Sequence, residues 1–200
     1  ILFLQNGMGH IDKIKQLSQS LFIGVISHGA NRTKDYEVNF LGVGLIQLAA
    51  LNGEVQEVKR LATYLHAPDF PISYVESWEV LLQDKLIVNA VINPLTALFD
   101  VTNGEIIHNR HITTLAKALS NETASVLNMS KEIAWKKVTK TAKATQDNIS
   151  SMRADINHRK ETELEAITGY ILQKSHQALP YTTFIYYAIL ALQLKGENQL

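Results

Sequence analysis

Apolar and polar positions divide this chain of 200 residues into two stretches of different rhythm. In the first, short apolar runs alternate with helical spacing. Residues 1–4, Ile-Leu-Phe-Leu, read as a short buried strand stopped by the turn signals Asn6-Gly7 and Gly9. From His10 to Leu21 the positions Ile11, Ile14, Leu17, Ser18 and Leu21 share one face of a predicted helix. Phe22–Ser27 reads as a second strand, with His28-Gly29-Ala30-Asn31 as the loop after it. Tyr36–Leu41 and Leu45–Ala50 read as two more strands. They join through Gly42-Val43-Gly44, whose glycines suit tight turns that need positive φ. An amphipathic helix is predicted over Glu54–His66, with Val55, Val58, Leu61, Ala62 and Leu65 turned inward. Pro68 and Pro71 bracket a break before a last short strand at Ile72–Val75.

From Glu76 onward the rhythm is helical, with turns expected at Val101–Gly104, around Ser120 and at Leu179-Pro180. The alternation in the first stretch argues for an open α/β sheet, and the second stretch for an all-α domain. The expected division is residues 1–74 and residues 75–200. The chain opens in what reads as the middle of a buried strand, without an initiator methionine, so sequence upstream is expected to be missing.

The chain is organised around residues 85–98, KLIVNAVINPLTAL. On a helix Lys85, Asn89 and Asn93 fall at i, i+4 and i+8, on one side, among residues that are nearly all apolar. A helix apolar all round is a buried helix. Buried polar groups are costly unless satisfied, so either other protein groups pair with these three, or they line a wet cleft and face a ligand. Pro94 follows Asn93, so the helix is expected to kink or end there. A second polar set lies in residues 147–170, where Asn148, Ser151 and Asp155 recur at helical spacing. Glu161, Glu163 and Glu165 follow. On a straight helix Ser151 and Glu163 would stand ~18 Å apart and would serve two ends of a long ligand, unless the helix breaks between them. The plainer reading of this set is a solvated face with pairs such as Asp155 and Arg159.

Composition narrows the chemistry. With 46% hydrophobic and 19% charged residues the chain is ordinary for a globular protein. Its formal net charge of zero argues against a nucleic acid or membrane surface held by bulk electrostatics. No apolar run is long enough to span a bilayer. Cysteine is absent, which removes disulfides and thiolate metal sites and fits a reducing, cytoplasmic compartment. The seven histidines lack metal-ligand spacing, so no metal is expected. Neither glycine pair, Gly7/Gly9 or Gly42/Gly44, continues into the G-x-G-x-x-G of a dinucleotide turn.

Four segments taken together carry a family resemblance: LQNGMG (4–9), KLIVNAVINPLTAL (85–98), Asn103-Gly104, and NISSMRADINHRKETE (148–163). In this order and spacing the chain resembles the ketopantoate reductases, or 2-dehydropantoate 2-reductases, over almost its whole length. The resemblance implies the C-terminal part of a Rossmann-type NADP-binding domain in residues 1–74. It implies a helical domain of the 6-phosphogluconate dehydrogenase C-terminal-like class in residues 75–200, with the site in the cleft between. NADPH is the implied cofactor, ketopantoate the implied substrate, and a homodimer is an assembly it allows. The glycine-rich phosphate turn and the basic residues that select NADPH would lie upstream.

By the same resemblance Lys85 matches the catalytic lysine, whose ammonium (reference pKa about 10.4) can hydrogen-bond the keto oxygen and give it a proton. Asn89, Asn93 and Asn103 match substrate-binding asparagines and Ser151 a substrate-binding serine; Asn148 is a lesser candidate. Asn6 matches a residue touching both cofactor and substrate, Ala30 a backbone contact to NADPH, and Glu163 a carboxylate on the cofactor side. There are departures. Gln83 stands where the family usually has tryptophan, with Trp78 farther upstream, and Thr168-Gly169 replaces a more usual Asn-Gly. The loop SHQALPYTT is shorter than usual and lacks its glycine. Two other readings stay open: a relative acting on another 2-oxo acid, and a non-catalytic helical dimerisation fragment using Phe184–Leu194.

Overall fold

The computed structural model describes residues 1–197. The chain forms two compact units, one of Ile1–Asn6 with His10–Leu82, the other of Gly7–Gly9 with the chain from Gln83 onward.

In the first unit β1 (Leu2–Phe3), β2 (Phe22–Ile26), β5 (Ile46–Ala50) and β6 (Ile72–Tyr74) form one sheet in the order β1-β2-β5-β6. The sheet is mixed: β1 runs parallel to β2, β2 antiparallel to β5, and β5 parallel to β6. α2 (Val55–Leu65) packs on it through Val58 and Ala62, against Phe22 and Leu48. Glu54 caps α2 and exchanges bonds with Glu57 in a reciprocal capping box. Of the five positions expected inward on α2, Val55 and Leu65 are exposed.

Four sequence expectations are corrected here. The strand at residues 1–4 is half-buried, with Ile1 and Leu4 exposed. The helix expected over His10–Leu21 is only α1, Ile11–Ile14. Beyond it the stretch KQLSQS has one apolar residue, Leu17, which stays exposed, so there is no face to bury. Of the expected loop at 28–31, residues 29–31 belong instead to β3 (Gly29–Lys34), which pairs with β4 (Glu37–Gly42) in a separate hairpin. Glycine at 44 is explained by close approach and not by φ, since a Cβ there would lie 2.3 Å from the Ser27 backbone.

The second unit is helical. α3 (Trp78–Phe99) enters it from the first and runs through Pro94 without ending. α4 (Glu105–His108), α5 (Arg110–Val126), α6 (Lys131–Ala144) and α7 (Ser151–Asn157) follow. A π-helical segment, Glu165–Gly169, then leads into α8 (Tyr170–Lys174) and α9 (Pro180–Glu197). Ser120, expected near a turn, is instead fully buried in the middle of α5. The break falls after Val126, where Asn128 takes φ 51°, a left-handed conformation that asparagine tolerates. Gly7, at φ 76°, packs against Ala166, whose oxygen would lie 2.3 Å from any added Cβ. Among the described residues no helix is long and apolar enough to cross a membrane.

The start of α9 shows how the bundle is tied. Pro180 opens the helix where no N–H is needed, and Glu122 of α5 accepts bonds from Tyr181 N (3.1 Å), Thr182 N (2.8 Å) and the Thr182 hydroxyl (2.6 Å). Glu122→Ala removes this cap, and urea unfolding should show a loss of about 1–2 kcal/mol.

Candidate active site

α3 forms because Leu, Ile, Val and Ala fill most of its length, and it is buried because they occupy every side. Leu86, Ile87, Ala90, Val91, Ile92 and Leu95 are all in the core. Lys85, Asn89 and Asn93 make one polar stripe along it, spanning about 12 Å. Lys85 and Asn89 are half-buried, and Asn93 is only 7% exposed.

α7 supplies the facing groups. The Asn93 amide nitrogen lies 3.5 Å from Ser151 Oγ, a long contact that leaves both groups able to bond a ligand. Ser151 itself is exposed. After α7 the chain reverses at Arg159, which takes φ 55°, while Lys160 N donates to the Asp155 carbonyl at 2.8 Å. The helix therefore breaks between Ser151 and Glu163. Burial pushes the Lys85 ammonium below its ordinary pKa, and the negative charge of Glu163 acts in the opposite direction. Asp155 senses the same carboxylate: burial first, then Glu163, raises its pKa, against Lys160 and His158. The sequence puts Asp155 on the polar face of α7 and carries no sign of this coupling.

Asn103 sits 8% exposed at the turn before α4. Its amide nitrogen donates to the Thr145 hydroxyl at 3.0 Å, which in turn donates to the Thr141 carbonyl, and its Oδ1 is buried without a partner. Asn148 is exposed, and its carbonyl accepts from Asn103 N at 3.1 Å. In the first unit Asn6 is half-buried in the bend after β1. Ala30 is exposed on β3, beside a register shift between Gly29 and Ala30 that interrupts the ladder with β4. In the Thr168-Gly169 pair the threonine hydroxyl is buried and unpartnered, while the glycine makes room for Glu165, whose carboxylate accepts a hydrogen bond from Tyr186 and pushes that phenol up to about 12.

Comparison with known proteins agrees with the residues that carry the resemblance. Residues 78–193 match the family described as "Ketopantoate reductase PanE/ApbA C terminal", and residues 1–53 match "Ketopantoate reductase PanE/ApbA". The 2-dehydropantoate 2-reductase of Bacillus subtilis (strain 168) is 40% identical over 200 residues, covering 96% of this chain and 67% of that protein. That of Listeria innocua is 35% identical over 206 residues, covering 100% of this chain and 66% of the relative. A crystal structure of a probable 2-dehydropantoate 2-reductase from Bacillus subtilis superposes with a TM-score of 0.87 at 38% identity, covering 96% of this chain and 68% of that one. A D-mandelate dehydrogenase solved with NADH and anilino(oxo)acetate shares the fold, with a TM-score of 0.91 at 23% identity over 98% of this chain and 68% of that one. The chain thus spans about two thirds of the length of these relatives.

The coupling to Glu163 makes a specific demand on titration. Because that carboxylate raises the pKa of both Lys85 and Asp155, Glu163→Gln should lower both, read by NMR titration of the lysine Nζ and aspartate carboxyl signals. Unchanged values would place Glu163 out of reach of the two groups. A Rossmann-type α/β part, a helical part and these sequence matches lead to one conclusion: the chain belongs to the ketopantoate reductase family.

Proposed function

We propose that the polypeptide carrying this chain reduces ketopantoate (2-dehydropantoate) to (R)-pantoate with NADPH, a step toward pantothenate and coenzyme A. The observation that carries this reading is the Lys85–Asn89–Asn93 stripe on an otherwise apolar helix, with Glu163 acting on the lysine, in a chain of this family. A helix that served only to pack against a partner would have no use for three polar groups at such spacing.

Residues 1–74 act as part of the cofactor domain and residues 75–200 as the substrate domain. NADPH, when bound, supplies the hydride that goes to C2 of the oxo acid. Lys85 donates a hydrogen bond to the C2 oxygen, stabilises the negative charge that develops there, and delivers the proton. Partial burial makes the ammonium a readier proton donor than a lysine in water, and Glu163 works against its discharge before the substrate arrives. Asn89, Asn93 and Ser151 hydrogen-bond the substrate carboxylate and hydroxyl without adding charge, and Asn103 is the fourth substrate contact. Asn6 touches both ligands. Ala30, where the strand ladder is interrupted, offers backbone groups to NADPH, and Glu163 stands on the cofactor side. These residues fit part of a nicotinamide cofactor, since they include no glycine-rich phosphate turn. The cytoplasm is the proposed location and a homodimer the proposed assembly, supported by a relative described as a dimeric ketopantoate reductase from Staphylococcus aureus.

The test follows NADPH oxidation optically when ketopantoate is added to the complete polypeptide. Lys85→Ala should lower turnover by about 100- to 10,000-fold with the fold retained, as expected for loss of a general acid. Near-normal turnover would remove Lys85 from the mechanism. Ser151→Ala should raise the KM for ketopantoate more than that for NADPH; the opposite pattern would assign Ser151 to the cofactor.

A further inference from the structure

Ser151 has no anchor of its own. Its side chain is exposed, and among the described residues its side-chain contact is to Asn93, 3.5 Å long. The residue before it is the opposite case. Ser150 is 5% exposed and is the N-cap of α7, its Oγ accepting from Arg153 N at 3.2 Å. The same Oγ lies 2.7 Å from the hydroxyl of Thr96, which is fully buried in α3 just beyond Pro94. Thr96 Oγ1 in turn lies 2.7 Å from the Ile92 carbonyl oxygen, one helical turn back. Arg153 N–H donates to Ser150 Oγ, and the Thr96 hydroxyl donates toward the same oxygen, with the Ile92 carbonyl and the Asn93 carbonyl (3.1 Å) as its other acceptors in reach. A buried chain of this kind tolerates little displacement, because a broken link strands a hydroxyl without water.

We infer that Thr96 and Ser150 are positioning residues. Their buried hydroxyl pair joins the N-terminus of α7 to α3 beside Pro94, and thereby holds Ser151 against Asn93 before any ligand arrives. Asp100 supports the same junction one turn later, accepting from Arg153 Nε at 2.7 Å and from Asn157 Nδ2 at 3.4 Å. Both hydroxyls are buried in this junction, so they act only through Ser151 and Asn93. The inference rests on the function proposed above.

The experiment compares Thr96→Val, which keeps the shape and deletes the hydroxyl, with Thr96→Ser, which keeps the hydroxyl. Both are made in the complete polypeptide, with thermal unfolding followed by circular dichroism as the check on folding. For Thr96→Val the KM for ketopantoate should rise roughly tenfold, as loss of one buried hydrogen bond implies, with the KM for NADPH unchanged. Thr96→Ser should restore the wild-type KM to within about twofold. A folded Thr96→Val enzyme with an unchanged ketopantoate KM overturns the inference, and so does a parallel rise in both KM values. If Thr96→Val does not fold, Ser150→Ala reads the same link from α7, with the same split between the two KM values expected. A wild-type enzyme that ignores ketopantoate fails the functional reading, and the inference falls with it; an active wild type with indifferent variants fails the inference alone.

Discussion

The constraint on which this structure depends is desolvation along one face of α3. A helix whose other sides are packed with Leu86, Ile87, Val91, Ile92 and Leu95 cannot carry a lysine and two amides without partners or a ligand for them. Much of the helical unit serves that requirement. α7 is brought alongside so that Ser151 meets Asn93, and the charge of Glu163 acts on Lys85. Burial and the Glu163 charge pull the lysine in opposite directions. The result suits a group that must stay charged until a negative oxygen forms and then give its proton away.

Supporting bonds lie outside the polar stripe and hold it in place. Glu122 caps α9, whose Gln193 accepts a 2.6 Å bond from the Thr162 hydroxyl, next to Glu163. Lys137 of α6 pairs with Asp84, next to Lys85, at 2.6 Å. Both bonds fasten the immediate chain neighbour of a charged group. The Thr96–Ser150 junction follows the same scheme for Ser151.

Much of this was legible in the sequence wherever the signal was local. The i, i+4, i+8 stripe needs only helical geometry, and the turn at Leu179-Pro180 needs only the backbone of proline. Legibility failed where contacts distant in sequence decide. β3 was missed because GANRTK has no apolar alternation, and its pairing comes from β4. Ser120 reads as a turn signal, yet tertiary packing buries it within α5. The break after α7 at Arg159 is a further case, since arginine is a residue type that carries no warning of a positive φ. The Thr96–Ser150 pair was invisible for a similar reason, since the two are 54 residues apart.

In the proposed reduction the partly buried Lys85 ammonium is the proton donor. The pH dependence of kcat/KM for ketopantoate, measured in the complete polypeptide with NADPH, tests it most directly. Activity should fall on an alkaline limb governed by a group titrating below the ordinary lysine value of 10.5, because burial is the larger influence on Lys85. A rate that stays level up to and through that value would contradict it.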